Sequence, residues 1–387
     1  MERIENYPVA VLGAGPVGLA AAANLIEYGL TPLILEADNA VAASFRDFSH
    51  VKLFSPWRYN LDRASRRLLE QNGWTSPDAE TVPTAGELLR DYLEPLAAQP
   101  AIAEHLRLGH RVVAVARRGY DKVKSEGRER APFVIRVEEG GETRDYLAGA
   151  VIDATGNWSR PNPLGANGLP AVGEARLASR IRYGMPDIAG ALRSRYLGRN
   201  TLVVGAGHSA VGSLVALAGL AEADPATTIH WALRGASPSR AFGGGEADQL
   251  PARGALGLRL KALVESGRLV VHSQFRVREL CEENGAVTVI PEDGFAGVAP
   301  IGGVDEIVCA TGSRPDLDLV RELRVRTDAW LESTEALAPL IDPNQHSCGS
   351  VRPHGHRELA HPEAGFYIVG AKSYGRAPTF LLATGYE

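Results

Sequence analysis

At 387 residues the chain is long enough for two or three domains and a large core. Apolar residues reach 45% and charged ones 22%, which excludes a disordered polymer. A net charge of −5, with a pI near 6.1, argues against a nucleic-acid or anionic-membrane partner.

The cysteines, Cys281, Cys309 and Cys348, form no C-x-x-C pair, and their odd number fits a reducing cytosol. The opening Met1-Glu2-Arg3-Ile4-Glu5 lacks the basic-then-apolar order of a signal peptide, so a cytoplasmic location is expected. The longest apolar stretch, Thr201 to Ala223, carries His208 and several glycines. It suits a nucleotide-binding strand and helix better than a membrane span.

The first informative segment is near the start. Pro8-Val9-Ala10-Val11-Leu12 reads as a buried parallel strand. Gly13-Ala14-Gly15-Pro16-Val17-Gly18 follows at once. In such a fingerprint the first glycine makes the tight turn, the second admits a pyrophosphate to the backbone and the third lets helix pack on strand. Pro16 suits a helix start. A helix is expected from Val17 to Tyr28, stopped by Gly29, and Leu33-Ile34-Leu35 gives a second strand ending in Glu36. A carboxylate in that position accepts hydrogen bonds from a ribose diol, so the unit reads as an FAD site. A glycine-rich turn without a ligand is the bland alternative.

Further along, Phe54-Ser55-Pro56-Trp57-Arg58-Tyr59 is dense in aromatics, which either wall a pocket or fill the core. Arg46 and Arg58 are cations in the same stretch, with surface solvation as the default. Arg111 to Val115 and Phe133 to Val137 read as hairpin strands. Val151-Ile152-Asp153-Ala154-Thr155-Gly156 and Ile307-Val308-Cys309-Ala310-Thr311-Gly312 are apolar strands running into small-residue turns. They bracket a second fingerprint, so one domain is expected to be inserted in another. Pro161-Asn162-Pro163 and Gly165 to Gly173 read as a linker.

The second fingerprint repeats the first. Thr201-Leu202-Val203-Val204 is the strand, Gly205-Ala206-Gly207-His208-Ser209-Ala210 the turn, and His208 to Ala223 the helix, with alanine as third glycine. Thr228 to Leu233 is the next strand, and Arg234 occupies the slot of the acid. A guanidinium there suits a 2′-phosphate, which reads as NADPH; a solvated surface arginine is the alternative. Ser209 and His208 stand at the helix N-terminus, where a phosphate is favoured. Gly243-Gly244-Gly245 is expected to be a mobile loop, acting either as a lid on the nicotinamide or as a plain turn. Towards the end, His346, Cys348, His354, His356 and His361 match no zinc spacing, so no metal is expected. Tyr374 to Leu382 reads as a loop opening an apolar helix, with Pro378 in its first turn. That helix stops within three turns at Glu387, so the chain is expected to be truncated or to end in a disordered tail.

This order of motifs resembles the two-dinucleotide-binding-domain flavoproteins, and within them the flavin-containing monooxygenases and their N-hydroxylating relatives, over essentially the whole chain. The resemblance implies an α/β fold of two Rossmann-like three-layer domains, the NADPH domain (162–311) inserted into the FAD domain (1–161 and 312–387). It implies that NADPH reduces FAD and that O2 then gives a C4a-(hydro)peroxyflavin that hydroxylates an N, S or C centre of a small organic substrate. The site residues it implies are Gly13, Gly15, Pro16, Gly18, Glu36, Arg46, Val112, Gly370 and Thr379 for FAD. For NADPH they are Gly205, Gly207, His208, Ser209 and Arg234. No catalytic side chain is identifiable; Arg352 and His354 are candidates for binding an anionic substrate or moving protons. In the resembled fold the terminal helix points its N-terminus at the flavin. Expected partners are a small molecule and O2, neither nucleic acid nor membrane, with a homodimer allowed for.

Two departures narrow this. The family signature F-x-G-x-x-x-H is missing; the corresponding stretch is Val172-Gly173-Glu174-Ala175-Arg176-Leu177-Ala178-Ser179. The last strand, Phe366 to Gly370, is followed by Ala371-Lys372 where many relatives have Gly-Asp, so backbone amides or Lys372 would take the ribityl role. Disulfide reduction needs a reactive cysteine beside the flavin. Ala42-Ala43-Ser44-Phe45 has none, and Cys309 reads as core. An NAD(P)H oxidase or quinone-type reductase is the alternative enzyme, and a non-catalytic flavin redox sensor the remote one.

Overall fold

The computed structural model describes residues 4–387 apart from 249, 296, 346–350, 352, 353 and 379. The chain divides into two compact units, residues 1–160 with 314–387, and residues 161–313. The second is thus inserted in the chain of the first.

In the first unit β1 (Val9–Leu12), β2 (Pro32–Leu35), β3 (Leu106–Arg107), β7 (Ala150–Asp153) and β16 (Phe366–Ile368) form a parallel sheet in the order β16-β7-β1-β2-β3. Alternation sets the layers. Val11 and Ile34 face α1 (Pro16–Glu27) and α3 (Arg63–Glu70), packing with Leu19, Ala22, Leu69 and Tyr92. Ala10, Leu12 and Leu35 face the other way, onto Val115, Phe133, Ile135 and Val137. Those residues belong to an antiparallel sheet of β4 (Arg111–Arg117), β5 (Phe133–Glu139) and β6 (Glu142–Ala148).

The hairpin expected from sequence is β4 and β5. The third strand, β6, was not legible because its first four residues are all exposed and polar. Its register is held instead by cross-strand pairs such as Arg136–Asp145, 2.8 Å apart. The antiparallel layer is tied to the strand-β16 end of the chain by Glu363. This buried carboxylate receives Arg117 and Arg128, each at 2.8 Å. Arg117 also stacks 3.6 Å from the centroid of Phe133.

The second unit repeats the plan. Strands β8 (Ile181–Tyr183), β9 (Asn200–Val204), β10 (Thr228–Ala232), β11 (Val270–His272) and β15 (Glu306–Cys309) make a parallel sheet in the order β11-β10-β9-β15-β8. Val203, Trp231 and Val308 pack against the helices His208–Ala223 and Pro251–Glu265. Leu202, Val204, Ala232 and Ile307 pack against the antiparallel sheet of β12 (Val277–Glu283), β13 (Ala286–Pro291) and β14 (Ile301–Val304). Each unit is therefore a helix layer, a parallel sheet and a small antiparallel sheet, as the α/β three-layer reading expects.

Two stretches differ from expectation. Residues 165–173 are not a loose linker. Leu164 and Ala171 are buried, and the buried Glu174 carboxylate accepts the Leu164 N–H at 3.1 Å and the Ala171 N–H at 2.6 Å. The glycine run 243–245 lies between two 3-10 turns, Pro238–Phe242 and Gly245–Ala247. Gly254 and Gly257 let these turns approach the following helix closely, because a Cβ on either would meet a backbone oxygen at 2.2 and 2.0 Å.

Candidate functional site

In the first unit the local sequence shapes an anion-accepting turn at the carboxyl edge of the sheet. Gly13 has φ +93°, and a Cβ there would meet the Ala154 carbonyl at 2.9 Å. A Cβ on Gly18 would lie 2.0 Å from the Gly13 oxygen, so the helix is pressed onto the turn. Gly15 is the N-cap of α1, and a Cβ on it would meet nothing within 4 Å. Pro16 is the first helical residue. The turn therefore offers open space in front of a helix N-terminus, where phosphate oxygens are favoured.

Glu36 follows β2 and reaches this turn. Its carboxylate accepts the Ala14 N–H at 2.7 Å and the Asp38 N–H at 3.0 Å. Its own carbonyl accepts the His110 N–H at 2.7 Å, which sets Val112, on β4, close to the end of β2. The second wall is α2 (Ala43–Asp47). Ala42 donates to the Ala14 carbonyl at 3.0 Å, and Asp47 accepts the Trp158 indole N–H at 2.7 Å. Arg46, expected as a cofactor contact, pairs with Glu94 at 2.7 Å and stays half exposed. Of the aromatic run, Trp57 is core and Tyr59 lies on the surface beside Arg58.

The post-β16 turn closes the site from the other side. Gly370 has φ +66° and sits against Val17 of α1. Lys372, one of the two alternatives to the acid of relatives, turns inward. It is wholly buried, its Nζ 2.6 Å from Asp153 Oδ2 and 3.0 Å from Thr155 Oγ1. Asn157 joins the same two turns by donating to the Ala371 and Gly375 carbonyls at 3.1 and 2.8 Å. A cavity of about 370 Å³ runs beside α1 from Val17 to Asn24. His354 lines it, 5.7 Å from the Tyr374 ring. The terminal helix is only Leu382–Tyr386, beginning four residues after Pro378. Five residues align too few peptide dipoles for a strong terminal field. The candidates Arg352 and Thr379, with His346 and Cys348, lie outside the described residues.

The second unit has the same turn with other residues. Gly205 has φ +130°, and a Cβ there would meet the Ala310 carbonyl at 2.2 Å. Gly207 caps the helix, and a Cβ on it would meet nothing within 4 Å. His208 and Ser209 are the first two helical residues. Ala210, in the third-glycine position, is wholly buried. Arg234 follows β10, exposed, and donates to the Ala166 carbonyl at 3.3 Å. Among the described residues no carboxylate pairs with it. Its segment is pinned from β11: Leu233 donates to the His272 carbonyl at 3.0 Å and Gln274 to the Gly235 carbonyl at 2.8 Å. His272 in turn meets His230 through an Nε2···Nδ1 contact of 2.9 Å. Burial holds both imidazoles below their ordinary pKa, and for His272 the neighbouring His230 adds to it.

Neither described cysteine is suited to redox exchange. Burial pushes the Cys309 thiol up to about 12, and it lies in the core. The half-buried Cys281 thiol is raised by its hydrogen bond to Glu279. No helix among the described residues is long and apolar enough to cross a membrane.

Comparison with known proteins agrees with this architecture. Over an alignment of 186 positions that covers 42% of this chain and 39% of the relative, the chain is 27% identical to flavin-containing monooxygenase FMO GS-OX-like 4 of Arabidopsis thaliana. Bacillithiol disulfide reductase from Bacillus cereus shares the fold with a TM-score of 0.69 at 18% identity, over 98% of this chain and 95% of that one. The ornithine N-hydroxylase of Kutzneria sp. 744, solved with reduced FAD, NADP+ and L-ornithine, has a TM-score of 0.61 at 17% identity, over 98% and 97%. The family model for pyridine nucleotide-disulphide oxidoreductases matches residues 10–348, and the chain belongs to this family of flavin-dependent pyridine nucleotide oxidoreductases.

Proposed function

We propose that the chain is an FAD- and NADPH-dependent monooxygenase acting on a small organic substrate. The observation that carries this reading is the opposite charge at two equivalent turns. Glu36 brings an anion to the first, and Arg234 brings beside the second a cation that no carboxylate among the described residues neutralises. The fit of a dinucleotide to each rests on Gly15 and Gly207, where a side chain would enter open space.

In the first unit Gly13, Gly15, Pro16 and Gly18 would admit a pyrophosphate to the N-terminus of α1, and Glu36 would orient a ribose through its remaining lone pairs. Gly370 and Val112 would line the rest of the cofactor site. In the second, Gly205, Gly207, His208 and Ser209 would meet the pyrophosphate of NADPH, and Arg234 would select its 2′-phosphate. Bound FAD supplies hydride acceptance and oxygen activation. The protein's own work is to bind, orient and exclude water; His354, at the cavity, is the candidate for moving a proton. The sequence has no C-x-x-C pair to support dithiol exchange, and the Arabidopsis relative supports oxygen transfer.

One observation favours a second reading, an NAD(P)H oxidase or quinone-type reductase. Glu174 occupies the segment where monooxygenase relatives carry F-x-G-x-x-x-H, and its carboxylate is spent on loop amides and on Tyr183. Anaerobic reduction by NADPH followed by mixing with O2 and a panel of amines and thioethers separates the two. Peroxide below one equivalent per NADPH with any substrate supports the monooxygenase. One full equivalent with all of them overturns it in favour of the oxidase. A flavin that NADPH fails to reduce points to the sensor.

A further inference from the structure

The two units carry the same motif after a central strand, Asp153-Ala154-Thr155-Gly156 and Cys309-Ala310-Thr311-Gly312. They wire its threonine differently. In the second unit Thr311 Oγ1 donates to the Asn162 carbonyl at 2.9 Å and lies 3.2 Å from the Cys309 sulfur, both uncharged partners. In the first unit a buried ion pair stands behind Thr155. Lys372 Nζ is 3.0 Å and Asp153 Oδ1 2.7 Å from its hydroxyl, and the side chains of both charged residues have no exposure at all.

The chemistry of the partners fixes the hydroxyl. An ammonium only donates and an ionised carboxylate only accepts. Thr155 therefore accepts from Lys372 and gives its single proton to Asp153. One lone pair is left. Both partners lie beneath the turn, while Thr155 itself is exposed. It also borders the first glycine turn, since a Cβ on Gly13 would stand 3.2 Å from the Thr155 Cα. The free lone pair is thus a pre-oriented acceptor at the lip of that turn, with no rotational freedom to become a donor.

We propose that Thr155 is a cofactor-binding residue of the first site. It accepts a hydrogen bond from a hydroxyl or N–H donor of the flavin, with Lys372 and Asp153 as the positioning residues that set its polarity. This rests on the flavin reading of that site. It also gives Lys372 a role in a place where an outward cation would not serve: the ammonium acts from behind, through threonine.

The test is the dissociation constant of FAD, read from flavin fluorescence on dilution of the holoprotein, together with the melting temperature of the flavin-free protein. Thr155→Val is expected to loosen FAD about five- to tenfold, the effect of one lost hydrogen bond. Thr155→Ser restores the affinity to within about twofold, and Thr311→Val leaves it unchanged. Neutralising the pair with Asp153→Asn and Lys372→Gln together, which avoids a lone buried charge, frees the hydroxyl to rotate and loosens FAD similarly. A Thr155→Val protein that holds FAD like the wild type, or a serine variant as weak as the valine one, overturns the proposal. A wild-type protein that binds no FAD overturns the flavin reading instead.

Discussion

The two glycine turns of this chain solve one geometric problem with different margins. In the first unit the helix presses so closely that a Cβ on Gly18 would lie 2.0 Å from the Gly13 oxygen. In the second, Ala210 holds a Cβ at the same step without leaving the core. The third glycine of such a fingerprint is therefore a packing requirement of one particular turn, whereas the second is kept open in both. The supports differ as well. The first turn is backed by a buried lysine–aspartate pair, the second by an uncharged cysteine and threonine. One unit thus stakes its site on electrostatics, which are costly to break, and the other on ordinary core packing.

Four measurements would break or sharpen this contrast. The largest effect is expected from Lys372→Met, which leaves Asp153 buried without its cation. A loss of about 3–5 kcal/mol in urea unfolding is expected, against about 1–2 kcal/mol for Cys309→Ala in the equivalent place. Equal losses would erase the distinction between the two supports. Next comes Gly18→Ala, which overpacks the first turn by about 1–3 kcal/mol and lowers flavin content. Ala210→Gly in the second turn costs only about 1 kcal/mol of helix propensity.

Smaller in its effect on folding, since it acts on binding alone, is Arg234→Ala, which removes a charge-assisted contact worth about 1.5–3 kcal/mol. KM for NADPH should rise at least tenfold and KM for NADH should stay near its starting value. A parallel rise in both would remove the phosphate role. The smallest effect concerns pH. His230 and His272 are held below their ordinary pKa, chiefly by burial. Above about pH 6.5 both imidazoles are neutral, folded or unfolded, and contribute nothing. Below it the unfolded chain takes up protons that the folded pair refuses, so stability falls as pH drops. Melting temperatures at pH 7.5 and 5.5 should diverge less in His272→Phe than in the wild type.

Much of the architecture was readable from local pattern. Strand, glycine turn, helix, strand and terminal charge all lie within about thirty residues of one another, and each unit repeats them. The cysteine reading followed from spacing alone. β6 was not read, because an exposed strand facing its partner by charge pairs has no apolar alternation to betray it. That Arg46 pairs with Glu94, forty-eight residues on, has no local signal either. The Gly- and Pro-rich run at 161–173 looked like a linker because composition does not reveal that Glu174 will satisfy its amides.

By itself, then, the sequence determined two repeated α/β units and the sign of the charge that ends each second strand. Those features arise from periodicity and glycine stereochemistry, which act over one or two turns of chain. Only the tertiary structure decided where Glu36 aims, that Arg234 meets no carboxylate among the described residues, and that Lys372 turns inward to Asp153, 219 residues away. A buried charge finds its partner by desolvation and geometry in the folded state, and neither leaves a mark on neighbouring residues.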